Sequence, residues 1–141
     1  MTAMNDPMFH DDDAARAHLE RIRWPNGAFC PHCGGVEVAR VEGKKRSHRP
    51  GLYYCNACKG QFTVTVGTVM ERSKVALHKW VLAFHLMASS KKGISAHQLH
   101  RMLSVQYRTA WFMAHRIREA MRNDDDAQFG AGGGTVEADE T

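Results

Sequence analysis

Long apolar runs are missing from this chain: nowhere in its 141 residues is there anything near the roughly eighteen consecutive apolar positions of a membrane-spanning helix. No membrane span is therefore expected. The opening stretch, MTAMNDPMFHDDDAAR, has neither a basic start nor an apolar core, so no secretory signal peptide is expected. Cysteine is scarce as well. All four cysteines fall in Cys-x-x-Cys pairs and none is left over. The expected compartment is the cytoplasm, where reducing conditions disfavour a disulfide framework and favour metal for such pairs. With 43% hydrophobic and 24% charged residues, the composition is globular rather than disordered.

Acid is nearly absent from one part of the chain, and the net charge of +4 hides this. Counting Lys and Arg against Asp and Glu gives 3 to 5 over residues 1–29 and 6 to 3 over 30–71. Residues 72–122 hold 10 to 1, and residues 123–141 hold 0 to 6. A basic block of this density is a footprint for phosphate, although a solvated basic face carries the same signature.

The local patterns divide the chain into four segments. Residues 11–23 (DDDAARAHLERIR) place Ala15, Leu19 and Ile22 on one helical face, with acids at the N-terminal end and WPNG as a stop. Residues 28–67 interleave the cysteines with short β-like runs, VEVARV, LYY and QFTVTV. Residues 74–122 have helical periodicity throughout. Residues 123–135 (NDDDAQFGAGGGT) are an acidic, Gly-rich linker.

Cys30, Cys33, Cys55 and Cys58 form C-x2-C-x21-C-x2-C. Two residues between thiolates let a tight knuckle aim both sulfurs at one ion. Two such knuckles complete a tetrahedron that suits a closed, structural Zn²⁺ site. Gly34 and Gly60 sit where knuckle turns need a positive φ or close backbone approach. The basic loop EGKKRSHRP absorbs the long central spacing. A thioredoxin-type redox pair needs a single Cys-x-x-Cys at a helix start, which does not match. A rubredoxin-like iron site fits the spacing and stays open at this point. His32 and His48 read as surface residues, because four thiolates already fill the site. Lys59, Arg40 and backbone amides are expected to offset the charge of the four thiolates.

In the basic block, Ser73 is placed to cap a helix whose face holds Leu77, Trp80, Val81, Phe84, Met87 and Ala88. ISAHQL then supplies a capping box, Ser95 with Gln98, and a hydrophobic staple, Ile94 with Leu99, for a short helix ending near Leu103. A third helix from about Gln106 to Arg122 turns Ala110, Met113, Ile117 and Met121 inward. This is the order of a trihelical helix-turn-helix unit. The outward face of the third helix carries Tyr107, Arg108, Trp111, His115, Arg118 and Arg122, a set suited to duplex DNA. The competing reading is a plain three-helix bundle with Trp111 and Phe112 in its core.

Taken together, RWPNGAFCPHCGG, YYCNACKGQFTVTVGTVMERSKVALHKWVLAFHLMASSKKGISAHQLHRMLSV, YRTAWFMAHRIREAM and GTVEADET resemble the bacterial insertion-sequence transposases that carry an N-terminal zinc ribbon. The resemblance runs from Phe9 onward. It implies a ribbon and helix-turn-helix that bind transposon ends, followed by an RNase H-like domain that cuts and joins DNA with acidic residues and Mg²⁺. On that resemblance DET corresponds to Asp139, Glu140 and Thr141, and Asp139 matches the first catalytic carboxylate. The sequence departs from the pattern at Ser104, where a glycine is common, and at Gln106, where a capping Ser is common.

The expected architecture is a small α+β chain of two modules. An N-terminal helix and β-rich zinc ribbon cover 9–70, and a three-helix helix-turn-helix unit covers 73–122. The linker 123–135 follows, and 136–141 is the isolated first strand of a catalytic domain that the chain does not include. The expected function is recognition of transposon ends in double-stranded DNA, with structural zinc and with Mg²⁺ needed only by a complete family member. Two carboxylates on one lone strand, Glu137 and Asp139, cannot hold a two-metal site, so no DNA cleavage is expected of this chain alone. Further expected partners are a second copy or an intact transposase. A zinc-ribbon/helix-turn-helix transcriptional regulator is the alternative function.

Overall fold

The computed structural model describes residues 4–42 and 48–122. The linker 123–135 and the expected terminal strand 136–141, with Asp139, lie outside the described residues. The elements are a one-turn 3-10 helix (Pro7–Phe9), α1 (Asp12–Arg23), β1 (Val38–Arg40), β2 (Tyr53–Cys55), β3 (Gln61–Phe62), α2 (Leu77–Ser89), α3 (Ala96–Leu103) and α4 (Tyr107–Ala120). No helix among them is long and apolar enough to cross a membrane.

Helix α1 begins where the sequence places it. The Asp11 carboxylate accepts a hydrogen bond from the Ala14 N–H at 2.9 Å, and Asp12 and Asp13 follow in the first turn, complementing the helix dipole. Ala15 and Leu19 pack inward, and Trp24, just before Pro25, ends the helix.

Helix α2 starts four residues after the expected cap. Its N-cap is Ala76, which has no side-chain acceptor to offer. Asp12 of α1 supplies one instead: its carboxylate accepts from the His78 N–H at 3.0 Å and from His78 Nδ1 at 2.5 Å. An unpaired N–H in the first turn of α2 is thus satisfied from another element. Ser73 has a different task, accepting from the indole Nε1 of Trp80 at 3.0 Å and from the Val75 N–H at 3.2 Å. A buried indole needs such an acceptor.

Helix α2 buries two faces. Trp80, Ala83 and Leu86 join Leu99, Leu103, Ala110, Met113, Ala114 and Ile117 in the main core. Val81 turns toward Met8, Phe9 and Ala15. The cap of α3 is as expected: Ser95 Oγ accepts from the Gln98 N–H at 3.2 Å, and Ile94 and Leu99 are both buried in the main core. Helix α3 ends at Ser104, which takes the left-handed conformation (φ 52°, ψ 49°) that glycine ordinarily supplies. Helix α4 starts after Gln106 with no side-chain cap.

Three positions expected on inward faces are exposed: Ile22 at 64%, Met121 at 46%, and Ala88. The reason is shared. Each lines one open apolar cleft of about 410 Å³, together with Phe84 and Met70, and no described element covers it.

The ribbon is a three-stranded antiparallel sheet in the order β1-β2-β3. Val38 lies opposite Cys55, and Tyr53 lies opposite both Arg40 and Phe62. Trp24 sits edge-on to Tyr53 and Phe62, which stack on each other with centroids 5.6 Å apart. Leu19 packs against this cluster and both helical ones, so α1 joins ribbon to helices. Arg23 donates to the Val64 carbonyl, and Arg116 of α4 donates to the carbonyls of Val69 (2.7 Å) and Glu71 (3.2 Å).

Candidate metal centre and nucleic-acid interface

The four cysteines converge. Cys30 Sγ lies 3.6 Å from Cys58 Sγ, Cys33 Sγ lies 3.6 Å from Cys55 Sγ, and all four sulfurs fall within 4.8 Å of one another. A tetrahedron with metal–sulfur bonds of about 2.3 Å has edges of about 3.8 Å, so the set fits one ion with no position left open. Such a site is structural.

The two knuckles repeat one backbone plan. The Cys30 N–H donates to the Gly35 carbonyl and the Cys55 N–H to the Gly60 carbonyl, each at 2.9 Å. The residue after the second cysteine is left-handed in both, Gly34 at φ 73° and Lys59 at φ 58°. The next residue is glycine for lack of room: a Cβ on Gly35 would lie 3.3 Å from Cys33 Sγ, and one on Gly60 would lie 3.2 Å from Cys58 Sγ. The sequence singles out Gly34 and Gly60 without distinguishing these reasons. Gly34 serves the backbone angle, and Gly60 gives the sulfur space.

Backbone amides supply much of the local electrostatics. The His32 and Gly35 N–H groups reach Cys30 and Cys33 sulfurs at 3.4 Å. The N–H of Cys58, helped by that of Ala57 and by neighbouring thiols, lowers the Cys55 thiol to about 7. Cys58 is raised: the Gly60 N–H favours its thiolate, but desolvation and the hydrogen bonds from Cys30, Cys55 and Cys33 outweigh it. Metal binding needs every thiol deprotonated, and a field of amide donors aids that step. Arg40, expected to offset the site's charge, is otherwise engaged, pairing with Glu20 at 3.7 Å and lying over the Tyr53 ring. His32 and His48 are exposed, as expected of surface histidines.

On α4, Ala110, Met113, Ala114 and Ile117 are buried. Trp111 is 51% exposed, Phe112 46% and Tyr107 41%. The reading of Trp111 and Phe112 as core residues therefore fails. All six residues expected on the outward face are exposed, five on α4 and Arg122 two residues past its end at Ala120, but they are not equally free. Tyr107 stacks on His97 of α3 at 4.4 Å, and His115 packs on Trp111 at 4.1 Å. Arg118 reaches toward the Ile94 carbonyl at 3.5 Å, and Arg122 pairs with Glu119 at 3.6 Å. Arg108 makes no hydrogen bond or ion pair among the described residues.

Two contributors were not foreseen. Arg116 lies over the Phe112 ring at 4.5 Å while it grips the carbonyls of Val69 and Glu71. It ties α4 to the segment leaving the ribbon. Lys79 of α2 donates to the Ser104 carbonyl at 3.2 Å, bracing the turn before α4. Sequence offered no sign of either, since both look like ordinary members of a basic block.

A ribbon of paired Cys-x-x-Cys knuckles joined to a basic three-helix unit defines the class, a zinc-ribbon protein. The comparisons specify it further. Residues 10–61 match the family model described as the transposase zinc-ribbon domain. The chain is 35% identical over 103 residues to the "uncharacterized protein in transposable element ISH50" of Halobacterium salinarum. That alignment takes in 73% of this chain and 33% of the relative, so it spans about a third of the relative's length. No solved structure matches. Both similarities support a transposase-related chain with a zinc ribbon in its N-terminal half.

Proposed function

We propose that the chain is a DNA-binding part of an insertion-sequence transposase, and that it recognises the transposon ends. In this reading α2, α3 and α4 form a helix-turn-helix unit over 73–122, with α4 entering the major groove. The observation that carries it is the outward face of α4. Three large aromatics stay in water beside Arg108, Arg118 and Arg122, within a segment of 10 Lys and Arg against 1 acid. A solvated face would have little reason to hold apolar rings there. The zinc ribbon, 6 to 3 in basic residues, follows the adjoining phosphates. Asp139 is on this reading the first carboxylate of the Mg²⁺-dependent catalytic domain of complete family members.

Arg108 is the proposed base contact, because it stands at the start of α4 and has no competing partner among the described residues. Arg118 and Arg122 contact phosphate. The test measures binding to duplexes copied from the genomic DNA flanking the gene and to random DNA, across a salt series. Arg108→Ala should cost about 1–3 kcal/mol on the specific duplex alone. Arg122→Ala should weaken both duplexes alike and flatten the salt dependence. Identical behaviour of the two variants on both duplexes would show that α4 is not the reading helix.

A further inference from the structure

Resting on the reading of α4 as the DNA-contacting helix, we infer that Trp111 and Phe112 form an apolar reading head that selects thymine methyl groups in the major groove. Both rings are exposed, and neither is needed by the core, which Ala110, Met113, Ala114 and Ile117 close without them. Both are also held. One side of the Trp111 indole is covered by His115 at 4.1 Å, and the Arg116 guanidinium lies 4.5 Å from the Phe112 centroid. Arg116 is itself fixed by two backbone carbonyls, so Phe112 is braced from the ribbon side. Rings braced on one side and open on the other are preorganised to bury apolar surface.

The shape and charge of the surroundings decide what they bury. Tyr107, Arg108, Trp111 and Phe112 line a shallow concavity of about 360 Å³. Its basic setting repels a basic partner and attracts a polyanion. On duplex DNA, phosphates are met by cations, and the apolar feature among major-groove base edges is the 5-methyl group of thymine. Arg108 inside the same concavity supplies a donor for a neighbouring base. The head therefore pairs one polar contact with apolar contacts to adjoining thymines.

The tryptophans make this measurable. Trp24 is 6% exposed and Trp80 1%, against 51% for Trp111, so collisional quenching by iodide reports on Trp111. The zinc-loaded full chain would select duplexes from a randomised pool. The best binder would then be remade with deoxyuridine for each thymine in turn, removing one methyl and nothing else. The expected result is about a fourfold loss of affinity for each contacted methyl. Trp111→Ala should erase that difference. The thymine duplex should also shield Trp111 from iodide.

Equal affinity for thymine and deoxyuridine duplexes, with sequence-selective binding otherwise intact, would overturn the reading head and leave the DNA-binding proposal standing. Enrichment of no duplex would overturn both. Shielding of Trp111 that rises with protein concentration in the absence of DNA would assign the face to a second copy of the chain, and would likewise overturn it.

Discussion

Replacing Ser104 by glycine should make the protein more stable, and the structure indicates by how much. Ser104 closes α3 at φ 52°, ψ 49°. An L-residue in this region costs about 1–2 kcal/mol, because Cβ crowds the following carbonyl. Glycine removes that cost but has more freedom to lose on folding, which takes back about 0.5–1 kcal/mol. Nothing else changes. The backbone N–H still donates to the His100 carbonyl, and the Ser104 carbonyl still accepts from Lys79. The side chain is exposed and its hydroxyl has no hydrogen-bond partner among the described residues. Ser104→Gly should therefore gain about 0.5–1 kcal/mol, or roughly 2–6 °C in Tm. Ser104→Ala is the control, since it deletes the same hydroxyl yet keeps Cβ. Thermal and urea unfolding of the three proteins, with zinc in excess, measure the difference. A glycine variant no more stable than the alanine variant would mean that the turn is not left-handed in solution.

Elemental analysis of the purified protein should find one zinc per chain; iron or no metal would refute the assignment. Cys55→Ser leaves three thiolates and an open, weaker site, and should lose the ribbon's Trp24 signal in near-ultraviolet dichroism while far-ultraviolet helix content persists. The contact of Asp12 with α2 should make stability depend on acid. The His78 backbone N–H, with further help from its ring, holds the Asp12 carboxyl below its ordinary range despite opposing desolvation. A carboxyl depressed in the folded state binds fewer protons there than in the unfolded chain, so its contribution is present above about pH 4 and fades as pH falls further. Asp12→Ala should cost about 1 kcal/mol at neutral pH, as loss of a helix cap does, and the gap to the wild type should close below about pH 4. A gap that is unchanged at pH 3 would refute the Asp12–His78 assignment.

Sequence alone determined the pieces whose cause is local. The paired cysteines specify the metal site, because two intervening residues fix the knuckle and four thiolates fill the coordination shell. Ser95 and Gln98 with Ile94 and Leu99 set the start of α3, since caps and staples act within six residues. The outward face of α4 was legible because helical spacing separates it from the buried stripe. Other features had to wait for tertiary contacts. Ser73 looks like a cap, but Asp12, 66 residues before His78, satisfies the first turn of α2 and frees Ser73 for the Trp80 indole. Periodicity shows that Ile22 and Met121 share faces with core residues, yet burial depends on a neighbouring element, and theirs is an open cleft. Whether Trp111 belonged to core or surface was undecidable for the same reason. Spacing says which residues share a side of a helix, and only packing says which side is covered.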